Sequence, residues 1–453
     1  MSKSTRVGIV SLGCPKNQCD AELMLAKIIA AGYEIVDEPG KAEVVIINTC
    51  GFIQSAKEEA IEEILEAVSR KKDGEKDKSG LNKKIIVTGC LPERYRDEIE
   101  KEFPEIDGIL SIGASQQVVE AINTVLSDKK AVMLPDNTKH NMEGERVLST
   151  LPHYAYLRIA DGCDNNCSYC AIPIIRGKFR SRKLENILDE AENLVRQGVK
   201  ELVLIAQDTT RYGLDIYGRL ALPELLEKLC ELEGVKWLRL LYCYPQNITD
   251  ELINVIKNRE KVVKYLDIPI QHSNREILAA MNRKDTPQQL SELFSKLRRD
   301  IPSIILRTTV IVGFPGESEE QFNELCEFVN DVKFEHLGCF PYSQEEGTSA
   351  ARLPEQTDES ERLARADIIN EQQAIRAAAF FSTLVGKEYE IVVEGYDRYL
   401  SMFFGRGYMF APEIDGMVYF KADKLSGGNL KIGDFVKVKI TDSLENNLIG
   451  EIV

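Results

Sequence analysis

The 453-residue sequence has few histidines and no long apolar run. Only four histidines occur, and none is paired at a metal-ligand spacing, which disfavours a histidine-based zinc hydrolase. No apolar run approaches the roughly 18 residues that a membrane-spanning helix needs. The first ten residues also lack the apolar core of a secretory signal. We therefore expect a cytoplasmic protein without a membrane partner.

Basic residues are scarce relative to acidic ones. The 57 Lys and Arg residues face 73 Asp and Glu residues, which leaves a net charge of −16 and disfavours a polyanionic partner. The hydrophobic fraction of 43% is enough for buried cores, and the length favours two or three domains. Because thiols stay reduced in the cytoplasm, the eleven cysteines favour metal binding or catalysis over a disulfide framework.

The amino-terminal part alternates short apolar runs with helical patterns. Runs at 6–12, 43–48 and 84–88 are predicted strands, with helices at 21–31 and 55–70 between them. This alternation predicts a parallel-sheet α/β domain, whose ligands collect at the carboxyl ends of the strands. The charged stretch 70–84 is predicted to be a loop. Each strand is followed at once by a cysteine, and we name these three the auxiliary set: Cys14, Cys50 and Cys90.

The central part repeats the alternation more regularly. Six strand–helix units predict a partial, open α/β barrel with its active site at the strand carboxyl ends. A helix is expected at 358–385, and the short alternating runs after residue 386 predict a small all-β module. The predicted domains are 5–125, 149–380 and 382–453, with a linker at 126–148. The six candidate strands are 155–160, 201–206, 238–243, 265–270, 304–312 and 337–342.

The sharpest motif follows the first strand of the central part. It reads Cys163-Asp-Asn-Asn-Cys167-Ser-Tyr-Cys170, and we name its three cysteines the loop set. Three thiolates in one loop can hold a 4Fe-4S cluster and leave one iron open for another ligand. A structural zinc site is the alternative, but zinc prefers four closed ligands and no fourth Cys or His lies nearby in the sequence.

This motif, with Tyr169 just before its last cysteine, resembles the radical S-adenosylmethionine (SAM) superfamily. The resemblance implies a partial α/β barrel, which agrees with the alternation of strands and helices. It also implies that the open iron binds SAM and that the reduced cluster cleaves it to a 5′-deoxyadenosyl radical, while the protein positions the cofactor. Tyr169 is a candidate contact to SAM or substrate.

The auxiliary set extends the resemblance to the methylthiotransferases of that superfamily. The matching segments surround each cysteine: Ser11-Leu-Gly-Cys-Pro-Lys-Asn17, Asn48-Thr-Cys-Gly51 and Thr88-Gly-Cys-Leu-Pro92. The resemblance implies a second 4Fe-4S cluster that supplies sulfur, and two SAM molecules for each product. It assigns no catalytic residue beyond the six cysteines. A single cysteine of this kind is more often a buried small hydrophobe, but all three stand at predicted strand ends.

Further polar residues stand at predicted strand ends of the central part. In a barrel these positions face the active-site mouth, so they are candidate contacts to SAM or substrate, whereas the alternative is that they cap strands and helices. A cationic stretch at 176–182 either offsets the charge of cluster and SAM or is a solvated loop. Thr309, inside the predicted strand before Gly313, is a further candidate contact to SAM or substrate. The strand-end candidates are Gln207, Asp208, Tyr242, Tyr244, Gln271, His272, Gly313 and Glu317.

Two methylthiotransferase branches compete: one modifies the β-carbon of an aspartate in ribosomal small-subunit protein twelve, and the other modifies tRNA adenosine. The segments at 11–17, 172–182, 265–272 and 411–416 resemble the first branch, and the carboxy-terminal module resembles a TRAM domain. Residues 386–453 carry eight Lys and Arg against eleven Asp and Glu, a net of −3 that suits a basic ribosomal protein better than RNA.

The expected partner is therefore a basic ribosomal protein, and RNA is not required for its recognition. The expected cofactors are two 4Fe-4S clusters and SAM. No sequence feature identifies the electron donor or the sulfur source. A non-catalytic metal-binding module is the alternative from a different functional class.

Overall fold

The computed structural model describes residues 5–77, 84–137, 140–421 and 430–453. The chain divides into two compact units. The first comprises Met1–Ser149, Asp161–Arg180 and Ser343–Ala351, and the second comprises Thr150–Ala160, Ser181–Tyr342 and Arg352–Val453. Among the described residues, no helix is both long and apolar enough to cross a membrane.

The first unit contains a parallel six-stranded sheet in the order β2-β1-β3-β4-β5-β6. Its strands are β1 (Arg6–Ser11), β2 (Glu34–Ile35), β3 (Val44–Thr49), β4 (Lys84–Gly89), β5 (Gly108–Leu110) and β6 (Ala131–Met133). Its helices are α1 (Pro15–Ala30), α2 (Gln54–Asp77), α3 (Cys90–Glu102), α4 (Val118–Leu126) and, in Asp161–Arg180, α5 (Ile172–Arg176).

Apolar residues cover both faces of this sheet. Along β3, Val44 and Ile46 join a core with α1 and α4, while Val45 and Ile47 join a second core with α2 and α3. This alternation follows from the two-residue period of a strand and produces three layers. The strand order reverses between β1 and β3, and in such sheets the crevice at the reversal is where ligands bind.

Two expectations for this unit need correction. Helix α2 continues to Asp77 through the stretch predicted as a loop, because lysine, glutamate and arginine are compatible with a solvated helix; residues 78–83 lie outside the described chain. The predicted linker 126–148 contributes β6, whose three residues are too short to show a periodic pattern. The predicted domain boundaries as a whole remain a prediction.

The second unit contains a parallel sheet in the order β14-β13-β12-β11-β10-β7, whose strands follow one another in the chain. This arrangement confirms the open α/β barrel. Strands β8 (Ala160–Asp161) and β9 (Arg180–Ser181) form a separate pair. The six sheet strands are β7 (Tyr154–Arg158), β10 (Glu201–Ile205), β11 (Trp237–Leu240), β12 (Val262–Asp267), β13 (Ile305–Val312) and β14 (His336–Pro341).

Helices follow the strands of this sheet, and two of them begin with a reciprocal capping box. The Thr286 side chain pairs with Gln289 at the start of α11, and Ser318 pairs with Gln321 at the start of α12. The helices are α6 (Leu184–Arg196), α7 (Leu214–Tyr217), α8 (Leu222–Glu231), α9 (Asp250–Asn258), α10 (Arg275–Ala280), α11 (Pro287–Asp300), α12 (Glu319–Val332) and α13 (Glu359–Ser382).

The carboxy-terminal module is a closed barrel in the order β15-β16-β17-β19-β18, which confirms the all-β expectation. A segment between β16 and β17 fastens it to the sheet of the same unit. Tyr154 donates to a Glu413 oxygen at 2.7 Å, and Tyr265 donates to an Asp415 oxygen at 2.7 Å. The strands are β15 (Glu388–Asp397), β16 (Met402–Arg406), β17 (Val418–Lys421), β18 (Phe435–Leu444) and β19 (Asn447–Ile452).

Candidate active site

Cys14 and Cys50 flank the point where the strand order of the first sheet reverses. Cys14 follows β1 and immediately precedes α1, and Cys50 follows β3. Gly13 between β1 and Cys14 has a φ of +90°, and a Cβ added there would lie 2.7 Å from Cys50 Cβ and 3.0 Å from Cys50 Sγ. Only glycine allows this approach without displacing the cysteine, so the two thiol-bearing loops are in direct contact.

Cys90 joins them through a second glycine contact. Gly89 at the end of β4 has a φ of +96°, and a Cβ added there would lie 2.4 Å from Thr49 O. Gly51 is similarly close to the third loop, since its added Cβ would lie 2.9 Å from Leu91 N. The sheet topology therefore assembles the auxiliary set as the strand ends predicted.

Two buried amide side chains also hold these loops. Asn17 Nδ2 donates to Leu12 O at 2.7 Å and lies 3.3 Å from both Asn48 O and Thr49 O. Asn48 Nδ2 donates in return to Asn17 O at 2.8 Å. Both asparagines belong to the quoted motif segments, but nothing in the motifs indicated this role. Their side-chain amides donate to backbone carbonyls of neighbouring loops and so tie these loops together.

The three thiols of the auxiliary set lie within electrostatic range of one another. Burial raises the pKa of Cys14, but the charges of Lys16 and Arg176 and backbone hydrogen bonds outweigh it, so the pKa is lowered. Burial, followed by the charge of Cys14, raises the pKa of Cys50. Burial raises the pKa of Cys90 to about 12, with the other two thiols adding to the rise. Burial and the neighbouring thiols thus disfavour the thiolate form at Cys50 and Cys90, whereas the two cations favour it at Cys14.

The loop set lies in a compact loop of the same unit. Gly162 has a φ of +76°, and its added Cβ would lie 2.1 Å from Lys178 O. Cys163 N donates to Gly177 O at 3.1 Å, so the start and end of the loop are paired. Cys170 N donates to Cys167 O at 3.1 Å and closes a turn between these two cysteines.

The thiol of Cys170 lies within electrostatic range of the other two loop thiols. Burial and then the charges of its two loop neighbours raise the pKa of Cys170. All three cysteines are half-buried, and so is Tyr169, which the structure places in this loop. Asn166 has a φ of +52°, a conformation that non-glycine residues adopt rarely and that clusters at functional sites.

The two cysteine sets are neighbours within the first unit. Cys90 packs with Ala171, the residue that follows the loop set, and with Ile112, Ile175 and Phe52 in one apolar cluster. The described residues contain no group of three ligands drawn together as a single metal ion requires. Each triad supplies thiolates alone, and an iron–sulfur cluster binds each thiolate through its own iron, so the donor atoms of both triads fit a group of this kind.

Three of the candidate contacts in the second unit, Gln271, Thr309 and Gly313, lie on β13 or follow β12 and β13. Gln271 has a φ of +71°, donates from its backbone to Thr309 O at 2.9 Å and accepts from Ile311 N at 2.7 Å. Gly313 N donates to a Glu317 oxygen at 3.1 Å. The structure thus brings Gln271 and Thr309 together and fixes the Gly313 turn. Their contacts to SAM or substrate, and that of Tyr169, remain a prediction.

The other candidates also have protein partners. His272 Nε2 lies 3.4 Å from a Glu317 oxygen, and its Nδ1 accepts from Asn274 N at 2.9 Å. The predicted strand 238–243 is too long, because β11 ends at Leu240 and Tyr242, two residues further on, has a φ of +61°. Asp208 accepts from Thr210 at 2.7 Å. Gln207 is half-buried beside it, and Tyr244 contacts the Arg283 guanidinium at 4.2 Å from its ring centroid.

The cationic stretch 176–182 is not simply a solvated loop. Arg176 is 1% exposed, donates to Asp20 at 3.0 Å and to Asp161 at 3.2 Å, and its Nη2 lies 3.9 Å from Cys90 Sγ. Its guanidinium is therefore a buried positive charge beside Cys90 of the auxiliary set. The sequence suggested a positive charge near the cysteine sets. It did not identify Asp20 and Asp161 as the partners of Arg176, because neither residue belongs to a local motif.

Comparison with known proteins defines the class. The chain matches the models of the uncharacterized protein family UPF0004 over residues 6–111, the radical SAM superfamily over 157–329 and the TRAM domain over 385–453. Its fold resembles the radical SAM methyltransferase TsrM from Kitasatospora setae, with a TM-score of 0.55, 14% identity and coverage of 75% of each chain. The protein is a radical SAM enzyme, a class that works with a 4Fe-4S cluster and SAM.

Full-length relatives give the family. The chain is 50% identical to the ribosomal protein uS12 methylthiotransferase RimO of Clostridium botulinum strain Hall, over 98% of this chain and 97% of the relative. It is 48% identical to the RimO of Thermoanaerobacter sp. strain X514, over 98% and 99%. The chain belongs to the RimO methylthiotransferase family and is a transferase, which confirms the branch indicated by the motifs.

Proposed function

We propose that this chain adds a methylthio group to the β-carbon of an aspartate in ribosomal protein uS12. It does so with two 4Fe-4S clusters and two SAM molecules for each product, one as methyl donor and one as radical source. The observation that carries the proposal is the presence of two separate cysteine triads as neighbours in one unit, where Cys90 and Ala171 belong to one apolar cluster.

The two triads have distinct tasks in this proposal. When bound, the cluster of the loop set supplies the electron that cleaves SAM, and the cluster of the auxiliary set supplies the sulfur. Three protein thiolates in each triad leave one iron of each cluster for a non-protein ligand. The glycine contacts at Gly13 and Gly89 fix the auxiliary thiols, and the turn from Cys167 to Cys170 fixes the loop thiols.

Charge supports a basic protein as the substrate. The carboxy-terminal module has a net charge of −3 in the sequence. One of its arginines, Arg406, is buried between Glu201 and Glu394, at 2.8 and 2.7 Å, and is therefore withdrawn from any phosphate. A module that binds RNA through its backbone needs clustered accessible cations, whereas an acidic surface attracts a basic ribosomal protein.

The domain division at 5–125, 149–380 and 382–453 is part of this proposal, with the amino-terminal domain presenting the auxiliary cluster. Contacts of Tyr169, Gln207, Gln271, Thr309 and Gly313 to SAM or substrate are likewise proposed. Their support is the position of Gln207, Gln271 and Gly313 beyond strand carboxyl ends of the open barrel, where such enzymes bind their ligands. Thr309 lies within β13, and its carbonyl accepts from Gln271 N at 2.9 Å.

The test uses the full-length protein, reconstituted anaerobically with iron and sulfide. The reduced enzyme is incubated with SAM and either purified uS12 or unmodified tRNA, and the products are analysed by mass spectrometry. We expect a methylthio increment on one aspartate of uS12. An increment on tRNA alone would overturn the proposed substrate, and the absence of any SAM cleavage would overturn the proposed reaction.

A further inference from the structure

Four buried side chains form a closed ring in the first unit, which we name the Arg176 ring. Arg176 lies 3.0 Å from an Asp20 oxygen and 3.2 Å from an Asp161 oxygen. His140 completes the ring, with Nδ1 3.1 Å from Asp161 and Nε2 3.3 Å from Asp20. None of these side chains is more than 4% exposed. The ring therefore holds the guanidinium in one place, away from water.

The ring is built from segments that carry the two cysteine sets. Asp20 lies on α1, the helix that begins directly after Cys14. Asp161 precedes Cys163 by two residues, and Arg176 is the last residue of α5, which follows the loop set. One set of ion pairs consequently fixes the guanidinium relative to both cysteine-bearing segments.

Although Arg176 comes from the segment of the loop set, its charge acts on the auxiliary set. Its Nη2 lies 3.9 Å from Cys90 Sγ. Cys90 belongs to the auxiliary set and begins α3, so the guanidinium lies against that set and its charge acts there over a short distance.

A buried ion pair alone is weak support for a functional role, because desolvation offsets much of its attraction. Here the guanidinium also lies 3.9 Å from Cys90 Sγ, one of the three thiols that the proposed function assigns to a cluster. On that basis we propose that Arg176 is a positioning residue whose guanidinium, held by Asp20 and Asp161, raises the reduction potential of the auxiliary cluster.

The sign follows from elementary electrostatics. In the one-electron couple, an external low-potential reductant gives an electron to the cluster, and no bond forms or breaks. A fixed positive charge favours the state with the additional electron, whereas a fixed negative charge disfavours it. Removal of the Arg176 charge should therefore lower the potential, and removal of the neighbouring Asp20 charge should raise it.

The test is a redox titration with dithionite, monitored by electron paramagnetic resonance, of the full-length reconstituted protein. The two clusters are assigned with Cys163→Ala, which removes a ligand of the loop set. We expect Arg176→Gln to make reduction of the auxiliary cluster at least tenfold less favourable, a shift of about 59 mV for one electron. Asp20→Asn should shift the potential in the opposite direction, and Arg176→Lys should keep it near the wild-type value.

Arg146→Gln provides the matched control. Arg146 is also a buried arginine of the first unit, 4% exposed and 2.6 Å from Glu22, and its replacement should leave the auxiliary potential unchanged. The inference is overturned if Arg176→Gln and Asp20→Asn shift the potential in the same direction or not at all. If Arg176→Gln does not fold, the other two variants still test the inference. Asp20→Asn should raise the reduction potential of the auxiliary cluster and Arg176→Lys should leave it unchanged, and any other result overturns the inference.

Failure of the two-cluster part of the proposed function, on which this inference rests, gives a different result. In that case the wild-type protein itself would bind only about four irons, the content of one 4Fe-4S cluster, and no auxiliary signal would be present to titrate. If the wild-type protein binds two clusters but Arg176→Gln leaves the reduction potential of the auxiliary cluster unchanged, only this inference is contradicted.

Discussion

The two cysteine sets of this protein reach similar chemistry by different routes. The loop set lies within eight consecutive residues and is organised by short-range contacts, such as Cys170 N to Cys167 O. The auxiliary set comes from three strand ends and depends on a strand-order reversal, two glycine contacts and buried amides. Local spacing therefore predicts the first set, whereas only the topology of a whole sheet predicts the second.

The largest effect separates the two sets by activity. Cys163→Ala should abolish both deoxyadenosine formation and methylthio transfer, because the loop set holds the cluster that cleaves SAM. Cys50→Ala should retain deoxyadenosine formation but reduce methylthio transfer to background. Chromatography of the nucleoside product and mass spectrometry of uS12 measure the two steps.

The control for both variants is Cys19→Ala. Cys19 is buried on α1 and belongs to neither set, so both activities should remain close to wild type. Loss of SAM cleavage in Cys50→Ala as well would show that the sets do not have separate tasks.

The next effect concerns two glycines, each of which should affect the cluster of only one cysteine set. Gly13→Ala places a methyl group against Cys50, so it should remove most of the auxiliary iron while the loop set keeps its cluster. Gly162→Ala places a methyl group 2.1 Å from Lys178 O and should do the reverse. Iron and sulfide analysis together with the spectra of the two clusters measures this.

Gly32→Ala is the matched glycine control. Gly32 also has a positive φ, +85°, but a Cβ added there meets nothing within 4 Å. It should cost only about 1 kcal/mol of backbone strain and leave both clusters in place. If it lost iron as Gly13→Ala does, backbone strain and not the approach to Cys50 would be responsible.

A smaller effect tests the amides that join the auxiliary loops. Asn17→Ala leaves the carbonyls of Leu12, Asn48 and Thr49 without this donor, so unfolding free energy should fall by about 1–3 kcal/mol. Auxiliary iron should fall with it, whereas the loop cluster should persist. Urea unfolding of the cluster-free protein measures the free energy of unfolding. An unfolding midpoint equal to that of the wild type would contradict the assigned contacts of Asn17.

The smallest effect is a pH dependence at the segment Ser343–Ala351, in which Ala350 N donates to the carbonyl of Ser168, between two cysteines of the loop set. Burial raises the pKa of Glu345, but Ser343, Arg94 and Lys57 outweigh it, and the pKa is lowered from 4.5. The contribution of a lowered carboxyl pKa is complete above its unfolded value and declines as the pH falls below it. Stability should therefore drop below about pH 4.5.

Glu345→Gln isolates this contribution. The variant should be less stable than wild type at neutral pH, and the difference should narrow as the pH falls through about 4.5, measured by urea unfolding at a series of pH values. A difference that stays constant over this range would show that the Glu345 charge is not involved.

The sequence predicted the features that local pattern or strand order encodes. It predicted the parallel sheet, the open barrel, the closed β module and the two positions where cysteines gather. It did not predict the Arg176 ring, because Asp20 and Asp161 are far apart in the chain and neither belongs to a recognisable motif. Nor did it predict the left-handed conformations at Tyr242 and Gln271, which depend on contacts between neighbouring strands.

The most direct test of the account is the iron and sulfide content of the reconstituted full-length protein with each cysteine set removed in turn. We predict about eight irons in the wild type and about four after replacement of either set by alanine, since each triad holds one 4Fe-4S cluster. About four irons in the wild type, unchanged when Cys14, Cys50 and Cys90 are replaced, would contradict the two-cluster enzyme.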